Sequence, residues 1–221
     1  MKRYGNLICV SLLYICTNAS RVAKEKTIVP DLSRVTSGKD WTVVDRKVTT
    51  IETDGKKCIL FDERPGYGLA RLNGFEFSDC AIEFDARGKN VDQHSFLGAA
   101  FHGADEKTYD AVYFRPFNFR SANPVRKAHA VQYVSHPDHP WKVLREKHPG
   151  AYENMVQPPP DPDNWFHARI VVFGPKVSVF INGSKQPCLK VEAISKRKSG
   201  WIGFWVGDDS GGDFANLTIA P

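Results

Sequence analysis

Aromatic and polar residues alternate along two strand-like runs in the middle of the chain. In the first run Tyr109, Tyr113 and Arg115 share one face, because successive strand residues point to opposite sides. The second run carries His129 and Gln132. Flat rings beside hydrogen-bonding side chains suit a ligand with apolar faces and polar edges, and a sugar is the first candidate. The predicted ligand-binding residues are Tyr109, Tyr113, Arg115, Asn118, His129, Gln132 and Trp141.

Three side chains in and after these runs have the chemistry of a general acid or base. They are Asp110, His129 and Glu146. An enzyme that cleaves a glycosidic bond needs two such groups facing each other within about 10 Å, one of them partly desolvated. The sequence does not show whether two of the three meet, so catalysis stays open. If the protein is an enzyme, we expect a glycoside hydrolase. The sequence contains no Ser-His-Asp order, glycine-rich phosphate loop or CxxC site.

The elements that would position these residues are short strands separated by Gly, Pro and Asn turns. Such spacing is typical of an antiparallel sandwich or barrel, and we expect an all-β domain over residues 38–221. Asn182-Gly183 predicts a tight turn with positive φ. The predicted strands are Trp41–Val44, Lys47–Glu52, Cys58–Asp62, Gly68–Arg71, Phe75–Arg87, Ser95–His102, Thr108–Phe114, Ala128–Ser135, Trp165–Phe173, Lys176–Ile181, Leu189–Val191, Gly200–Gly207 and Asp213–Ile219.

A long irregular segment, His136 to Asn164, contains seven prolines. Loops of this length in compact domains are usually functional surfaces or disordered insertions. Prolines lower the entropy lost when such a loop is ordered. We predict that it packs beside the mouth of the binding sheet, with Trp141 and Tyr152 near Tyr113 and Arg115.

The C-terminal half carries a recognisable pattern. The hairpin WFHARIVVFGPKVSVFINGS and the closing segment GWIGFWVGDDSGGDFANLTI resemble the concanavalin A-like lectin/glucanase superfamily. The resemblance extends over roughly residues 38–219 and is greatest to secreted laminin-G-like and 3-keto-disaccharide-hydrolase-type domains. It implies a two-sheet antiparallel jelly-roll sandwich that holds ligands on its concave sheet, but no particular chemistry. Three hypotheses follow: a carbohydrate-binding domain, a glycoside hydrolase of the 3-keto-disaccharide-hydrolase type, or a laminin-G-like adhesion module.

One catalytic pattern of this superfamily can be tested directly. Laminarinase-type glucanases carry Glu-x-Asp-x-x-Glu on a strand, and here Glu83 and Asp85 match the first two positions. Gly88 occupies the position of the last glutamate, so the site lacks its proton donor. We interpret Glu83 and Asp85 as part of a solvent-exposed face.

A loop with three carboxylates precedes the last strand. Asp208, Asp209 and Asp213 lie on a glycine-containing segment that could bind Ca²⁺, a cation that prefers oxygen ligands. Their spacing is not that of an EF-hand, and a plain turn is the simpler interpretation. We expect no other metal or cofactor.

The N-terminus has the features of a secretion signal. Lys2 and Arg3 precede a short apolar run and small residues near Ala19. We predict a signal peptide over residues 1–19, a linker over 20–37, and a secreted or periplasmic protein. The apolar run is too short to span a membrane comfortably.

Charge and cysteine content narrow the possible partners. Removing Lys2 and Arg3 lowers the formal charge from +5 to +3, and the basic residues are scattered. The sequence therefore predicts no nucleic-acid partner, and the aromatic and polar strands described above predict a poly- or oligosaccharide.

The cysteines allow two interpretations. Cys58 and Cys80 border predicted strands, and either a disulfide or simple burial of thiols fits them.

Overall fold

The computed structural model describes residues 26–221, which form two antiparallel seven-stranded sheets packed as a sandwich. Sheet 1 contains, in spatial order, β1 (Trp41–Val44), β4 (Gly68–Leu72), β13 (Trp201–Val206), β6 (Leu97–Gly103), β7 (Tyr109–Phe114), β8 (Val131–His136) and β9 (Glu153–Asn154). Sheet 2 contains β12 (Leu189–Glu192), β11 (Lys176–Ile181), β10 (Phe166–Phe173), β5 (Cys80–Arg87), β14 (Gly212–Ala220), β3 (Lys56–Phe61) and β2 (Val48–Thr53). The predicted all-β sandwich is confirmed.

Every predicted strand is present, and all except Trp41–Val44 and Lys176–Ile181 have shifted ends. The largest shift is at Phe75–Arg87, where β5 begins only at Cys80 and Phe77 forms an isolated bridge to Gly200. The start of β8 also moves, because Asn123 caps a helical turn that occupies the preceding residues. Sequence analysis missed the two-residue strand β9 and the short helices, whose lengths are too small for a periodic pattern. The helices are a 3₁₀ helix (Leu32–Ser37), α1 (Pro116–Phe119), α2 (Pro124–Lys127) and α3 (Trp141–Lys147).

Aromatic residues from both sheets fill the space between the layers. Phe204 of sheet 1 meets Phe214 of sheet 2 with ring centroids 4.4 Å apart, and Phe84 packs edge-on against Phe204 at 5.8 Å. All three side chains are fully buried. Truncating one of them to alanine would remove about 3–5 kcal/mol of stability.

The two sheets differ in how their outer faces are covered. Along β5 and β10 of sheet 2, buried residues alternate with partly exposed ones, as expected for a sheet with one face in water. Along β7, β8 and β13 of sheet 1, every residue is buried. Segments outside the sandwich therefore cover the middle of sheet 1, and α3 is one of them.

The N-terminal part of the described chain belongs to the domain. Ile28 exchanges two backbone hydrogen bonds with Ile219, of 2.8 and 2.9 Å. Val35 of the 3₁₀ helix is buried in the core. Residues 26–37, within the predicted linker, therefore have backbone and apolar partners on the sandwich. The predicted signal peptide, residues 1–19, lies outside the described residues.

Two local predictions have clear outcomes. Cys58, Cys80 and Cys188 are free and buried, and burial raises the pKa of the Cys80 and Cys188 thiols to about 12. The alternative of buried thiols is therefore correct. Asn182 and Gly183 have φ values of 49° and 70°, as a tight turn with positive φ requires.

The longest α-helix among residues 26–221 has seven residues, far short of the length that spans a lipid bilayer.

Candidate functional site

A cavity lies on the outer face of sheet 1, where α3 covers β7 and β8. It has two parts. The first, which we call the aromatic chamber, has a volume of about 120 Å³. The second, the arginine chamber, has a volume of about 430 Å³. Phe96, Trp141 and Asp208 border both, so the chambers are contiguous.

The aromatic chamber is built from rings that meet above small strand residues. Trp205 of β13 and Tyr113 of β7 flank Gly98 of β6, which pairs with both. The Trp205 and Tyr113 ring centroids lie 4.8 Å apart, and Tyr67 contacts Trp205 at 5.4 Å. A Cβ atom on Gly98 would lie only 2.1 Å from the Val112 carbonyl oxygen. Glycine at this position therefore lets the neighbouring strands, and the rings they carry, come together.

His136 adds a polar edge to this chamber. Its ring lies 5.1 Å from the ring of Tyr67, and the side chain is almost completely buried. Burial, assisted by the charge of Arg197, lowers the pKa of His136 to about 4. The imidazole is therefore neutral near pH 7 and can both donate and accept a hydrogen bond.

Arg115 lies where the two chambers meet. Its guanidinium donates to the His129 carbonyl at 2.7 Å, to the Tyr113 hydroxyl at 2.6 Å and to Gln132 Oε1 at 2.5 Å. It also stacks over the Tyr113 ring, with Cζ 4.8 Å from the ring centre. Burial lowers the pKa of Arg115, although arginine stays charged at any physiological pH.

His129, which borders the arginine chamber, lies against the carboxylate of Glu153. His129 Nδ1 lies 2.8 Å from Glu153 Oε2, although the contact is poorly aligned for a hydrogen bond. Arg145 of α3 holds the Glu153 carboxylate with two bonds, of 3.0 and 2.7 Å. Burial lowers the pKa of His129 and Glu153 only partly offsets this, so a neutral imidazole faces the chamber near pH 7.

Five of the seven predicted ligand-binding residues line the cavity. Tyr113, Arg115, Asn118, His129 and Trp141 border one or both chambers. Gln132 lies next to them as the partner of Tyr113 and Arg115. Tyr109 does not line either chamber. It is buried and accepts a hydrogen bond from Trp205 Nε1 at 3.1 Å, and burial raises the pKa of its hydroxyl to about 12.

Two of the three catalytic candidates lie away from the cavity. Asp110 points to the inner face of sheet 1 and is fully buried, where it binds Arg197, Ser195 and His102. Glu146 is exposed on α3 and borders neither chamber. Strand alternation explains the first error, because Asp110 and Tyr113 are three residues apart and must face opposite ways. Only His129 remains at the cavity.

His102, Asp110 and Ser195 have the residue types of a catalytic triad but not its arrangement. Asp110 Oδ2 accepts from both the histidine at 3.2 Å and the serine hydroxyl at 2.7 Å. A nucleophilic serine needs the histidine as its own proton acceptor. The carboxylate stands between the two, so this group does not activate Ser195.

Sequence analysis missed several residues that line the chambers. Trp205 is one of them, although the alternation of β13 places Phe204 inward and Trp205 outward. Tyr67, Phe96, Arg126 and Arg145 lie in loops or short helices, which have no such signal. Glu153 was missed because β9 is only two residues long.

The proline-rich segment lies partly where we predicted. Trp141 borders both chambers together with Tyr113 or Arg115. Tyr152 instead packs against Tyr133 and His148, each at 5.7 Å between ring centres, and lines neither chamber. The segment is therefore one wall of the cavity and also part of the packed domain.

The acidic loop does not gather its carboxylates. Asp208 accepts a hydrogen bond from the Gly66 amide at 2.6 Å, while Asp213 pairs with Arg87 at 2.6 Å. Among residues 26–221, no three His, Cys, Asp or Glu side chains form a group that could hold a metal ion. Glu83 and Asp85 lie on the outer face of sheet 2, in ion pairs with Arg169 and Lys56.

Comparison with known proteins places the fold in one class. No protein-family model and no curated protein sequence matches the chain. Among solved structures, the carbohydrate-binding module CBM66 from Bacillus subtilis superposes with a TM-score of 0.60 and 15% identity, covering 82% of this chain and 96% of that one. The Ca²⁺/Man3GlcNAc-bound VIP36 exoplasmic/lumenal domain gives 0.53 and 9%, covering 81% and 85%. A candidate glycosyl hydrolase from Parabacteroides distasonis ATCC 8503 gives 0.50 and 13%, covering 84% and 91%.

These likenesses establish a concanavalin A-like sandwich for this chain. At such low identities they show the fold alone. The more specific laminin-G-like and 3-keto-disaccharide-hydrolase-type labels stay predictions.

Proposed function

We propose that this protein binds a poly- or oligosaccharide in the two chambers on the outer face of sheet 1. The observation that carries the proposal is the cavity itself, in which the rings of Tyr67, Tyr113, Trp141 and Trp205 adjoin the hydrogen-bonding wall of the arginine chamber. Two of the structural neighbours are named as a carbohydrate-binding module and as a sugar-bound domain, which supports the same class of ligand.

The chemistry of the two chambers matches the two kinds of surface on a sugar. The C–H faces of a pyranose or furanose ring are apolar and pack against aromatic rings, while its hydroxyl groups need donors and acceptors. Neutral His136 offers both functions in the aromatic chamber, and Asn118 and His129 offer them in the arginine chamber.

A substitution in α3, the helix that covers the cavity, tests the proposal. Trp141 is 41% exposed, so Trp141→Ala should change stability little and lower glycan affinity at least tenfold. The matched control is Trp165→Ala, because Trp165 stacks with Lys56 and Arg87 away from both chambers. Glycan arrays followed by affinity gels measure both. If no poly- or oligosaccharide binds to folded protein, or if the two variants bind equally well, the proposal fails.

The histidine–carboxylate pair supports a second candidate function, glycoside hydrolysis. His129 lies against buried Glu153, and such a partner orients an imidazole for proton transfer. The two groups share one wall and do not face each other across the cavity, so binding without catalysis remains our first proposal. Incubating bound glycans with the wild type, His129→Gln and Glu153→Gln and following reducing ends by chromatography separates the two. Turnover that both variants abolish would favour the enzyme; unchanged glycans in all three would exclude it.

We also propose that the protein acts outside the cytoplasm, as the predicted signal peptide indicates. Mass spectrometry of the exported fraction should find a mature chain that begins after Ala19. A full-length chain retained in the cytoplasm would contradict this.

A further inference from the structure

We infer that the arginine chamber selects a sugar that carries a carboxylate, such as a uronic acid, and that Arg115 binds this group. The inference rests on the proposed carbohydrate binding and makes its ligand class more specific. It starts from a buried arginine that has no ion-pair partner. Among residues 26–221, Arg115 has no carboxylate within ion-pair distance, although its side chain is only 5% exposed.

The hydrogen-bond partners of Arg115 are all neutral. Its three hydrogen bonds go to a backbone carbonyl, a tyrosine hydroxyl and an amide oxygen. Burial raises the pKa of the Tyr113 hydroxyl and the charge of Arg115 only partly offsets this, so the hydroxyl stays protonated. A guanidinium has five N–H donors, so two remain for a ligand.

The other two arginines of the chamber are already paired. Arg126 binds Asp92, and Arg145 binds Glu153 through two hydrogen bonds. Among the three arginines of this chamber, Arg115 is thus the one without an ion pair to the described residues. A buried cation without a counter-ion is unfavourable, and a carboxylate that enters the chamber would remove this penalty.

Two acidic residues of the same chamber would set the orientation of the ligand. Asp208 and Asp209 border the same chamber and would repel a carboxylate that approached them. They accept hydrogen bonds from sugar hydroxyls equally well. A uronic acid would therefore bind with its carboxylate toward Arg115 and its hydroxyl groups toward the aspartates. The free donors of Arg115, one on Nε and one on Nη1, can each donate a hydrogen bond to a carboxylate oxygen.

The test compares acidic polysaccharides with their own neutral forms. Polygalacturonate, alginate and hyaluronan, each with its carboxyl-reduced counterpart, would be cast into affinity gels. We expect the wild type to bind at least one acidic polymer, with at least tenfold weaker binding to its reduced form. Binding of neutral glycans without any preference for an acidic form would overturn the inference and leave the proposed function standing. No binding to any glycan would overturn both.

Variants of Arg115 then test whether this residue causes the preference for the acidic polymer over its reduced form. Arg115→Gln should lower affinity for the acidic polymer to that for its reduced form, whereas Arg115→Lys, which keeps the charge but loses the planar fork, should retain part of it. The control is Arg169→Gln, because Arg169 pairs with Glu83 on the outer face of sheet 2. Circular dichroism checks folding. If a folded Arg115→Gln protein keeps the full preference, Arg115 does not bind the carboxylate. If Arg115→Gln does not fold, Arg115→Lys takes its place, and a folded Arg115→Lys protein that keeps the full preference would likewise show that Arg115 does not bind the carboxylate.

Discussion

Two polar clusters lie on opposite faces of strands β7 and β8, and they differ in whether their buried charges have ion-pair partners. The inner cluster, between the sheets, consists of Asp110, Arg197, Ser195, Ser135 and His102. The outer cluster, below the chambers, consists of Arg115, Tyr113 and Gln132. Asp110 and Tyr113 come from the same strand, and Ser135 and Gln132 from its neighbour. The comparison is therefore between two faces of one pair of strands.

The inner cluster is balanced. Arg197 Nη2 binds Asp110 Oδ1 at 2.6 Å and the Ser135 hydroxyl at 2.8 Å, and Ser195 donates to Asp110 at 2.7 Å. Burial alone would raise the pKa of Asp110. The hydrogen bonds from His102 and Ser195 and the charge of Arg197 outweigh this and hold that pKa below its ordinary value. The cluster ties the loop after β12 to sheet 1.

The outer cluster has a cation and no anion. Its hydrogen bonds are as short as those of the inner cluster, but every acceptor is neutral. From this difference we expect that losing the anion of the inner cluster mainly lowers stability, whereas losing the cation of the outer cluster mainly lowers ligand binding. Three measurements would break or sharpen this contrast.

The largest effect is expected from Asp110→Ala. Removing this carboxylate leaves the partly buried Arg197 unpaired, and we expect a loss of about 3–5 kcal/mol in the free energy of unfolding. Glycan affinity per folded molecule should stay unchanged, because the chambers lie on the other face. Arg115→Gln should show the opposite pattern, with a loss of only about 1–2 kcal/mol and impaired binding. Denaturant titrations and affinity gels measure both, and similar losses of stability in the two variants would refute the contrast.

Acid should affect the two faces in separate pH ranges. His136, on the chamber side, has a folded pKa of about 4 against an ordinary value of 6.5. The unfolded chain therefore binds a proton that the folded one does not, and stability should fall by about 3 kcal/mol as pH drops from 6.5 to 4. The lowered pKa of Asp110 acts in the same direction, but only below its ordinary value of 3.8.

Unfolding free energies measured across this range would separate the two groups. His136→Gln should reduce the slope between pH 6.5 and 4, and His129, whose pKa burial also lowers, accounts for part of what remains. His148→Gln, at an exposed position, should leave the slope unchanged. A slope that persists undiminished in His136→Gln would show that another group titrates there.

The smallest effect is expected at Gly183, which lies far from both clusters. A substitution there should show how much a change confined to one turn costs. Gly183 has a φ of 70°, so Gly183→Val should strain the β11–β12 turn by about 1 kcal/mol or more. Thermal unfolding should show a lower midpoint, with glycan binding intact. An unchanged midpoint would mean that the turn relaxes at no measurable cost.

Much of the fold and part of the site could be predicted from the sequence. Strand alternation and turn residues predicted the sandwich, and the shared face of Tyr113 and Arg115 pointed to the wall of the cavity. Alternation is a local property with a period of two residues, so successive side chains of a strand point to opposite faces however the strand packs. It could also have separated Trp205 from Phe204, had it been applied to β13.

The sequence by itself thus determined which residues share a face of a strand, and only the tertiary structure decided which face is covered and which charges find partners. The Asp110–Arg197 pair joins residues 87 positions apart, and the covering of sheet 1 by α3 brings Trp141 and Arg145 over strands that precede them. Such contacts depend on how distant segments pack, and no local pattern records them. That is why Asp110 resembled a catalytic acid in the sequence and proved to be a buried structural anion, whereas Glu153 gave no signal and lies beside His129 at the cavity.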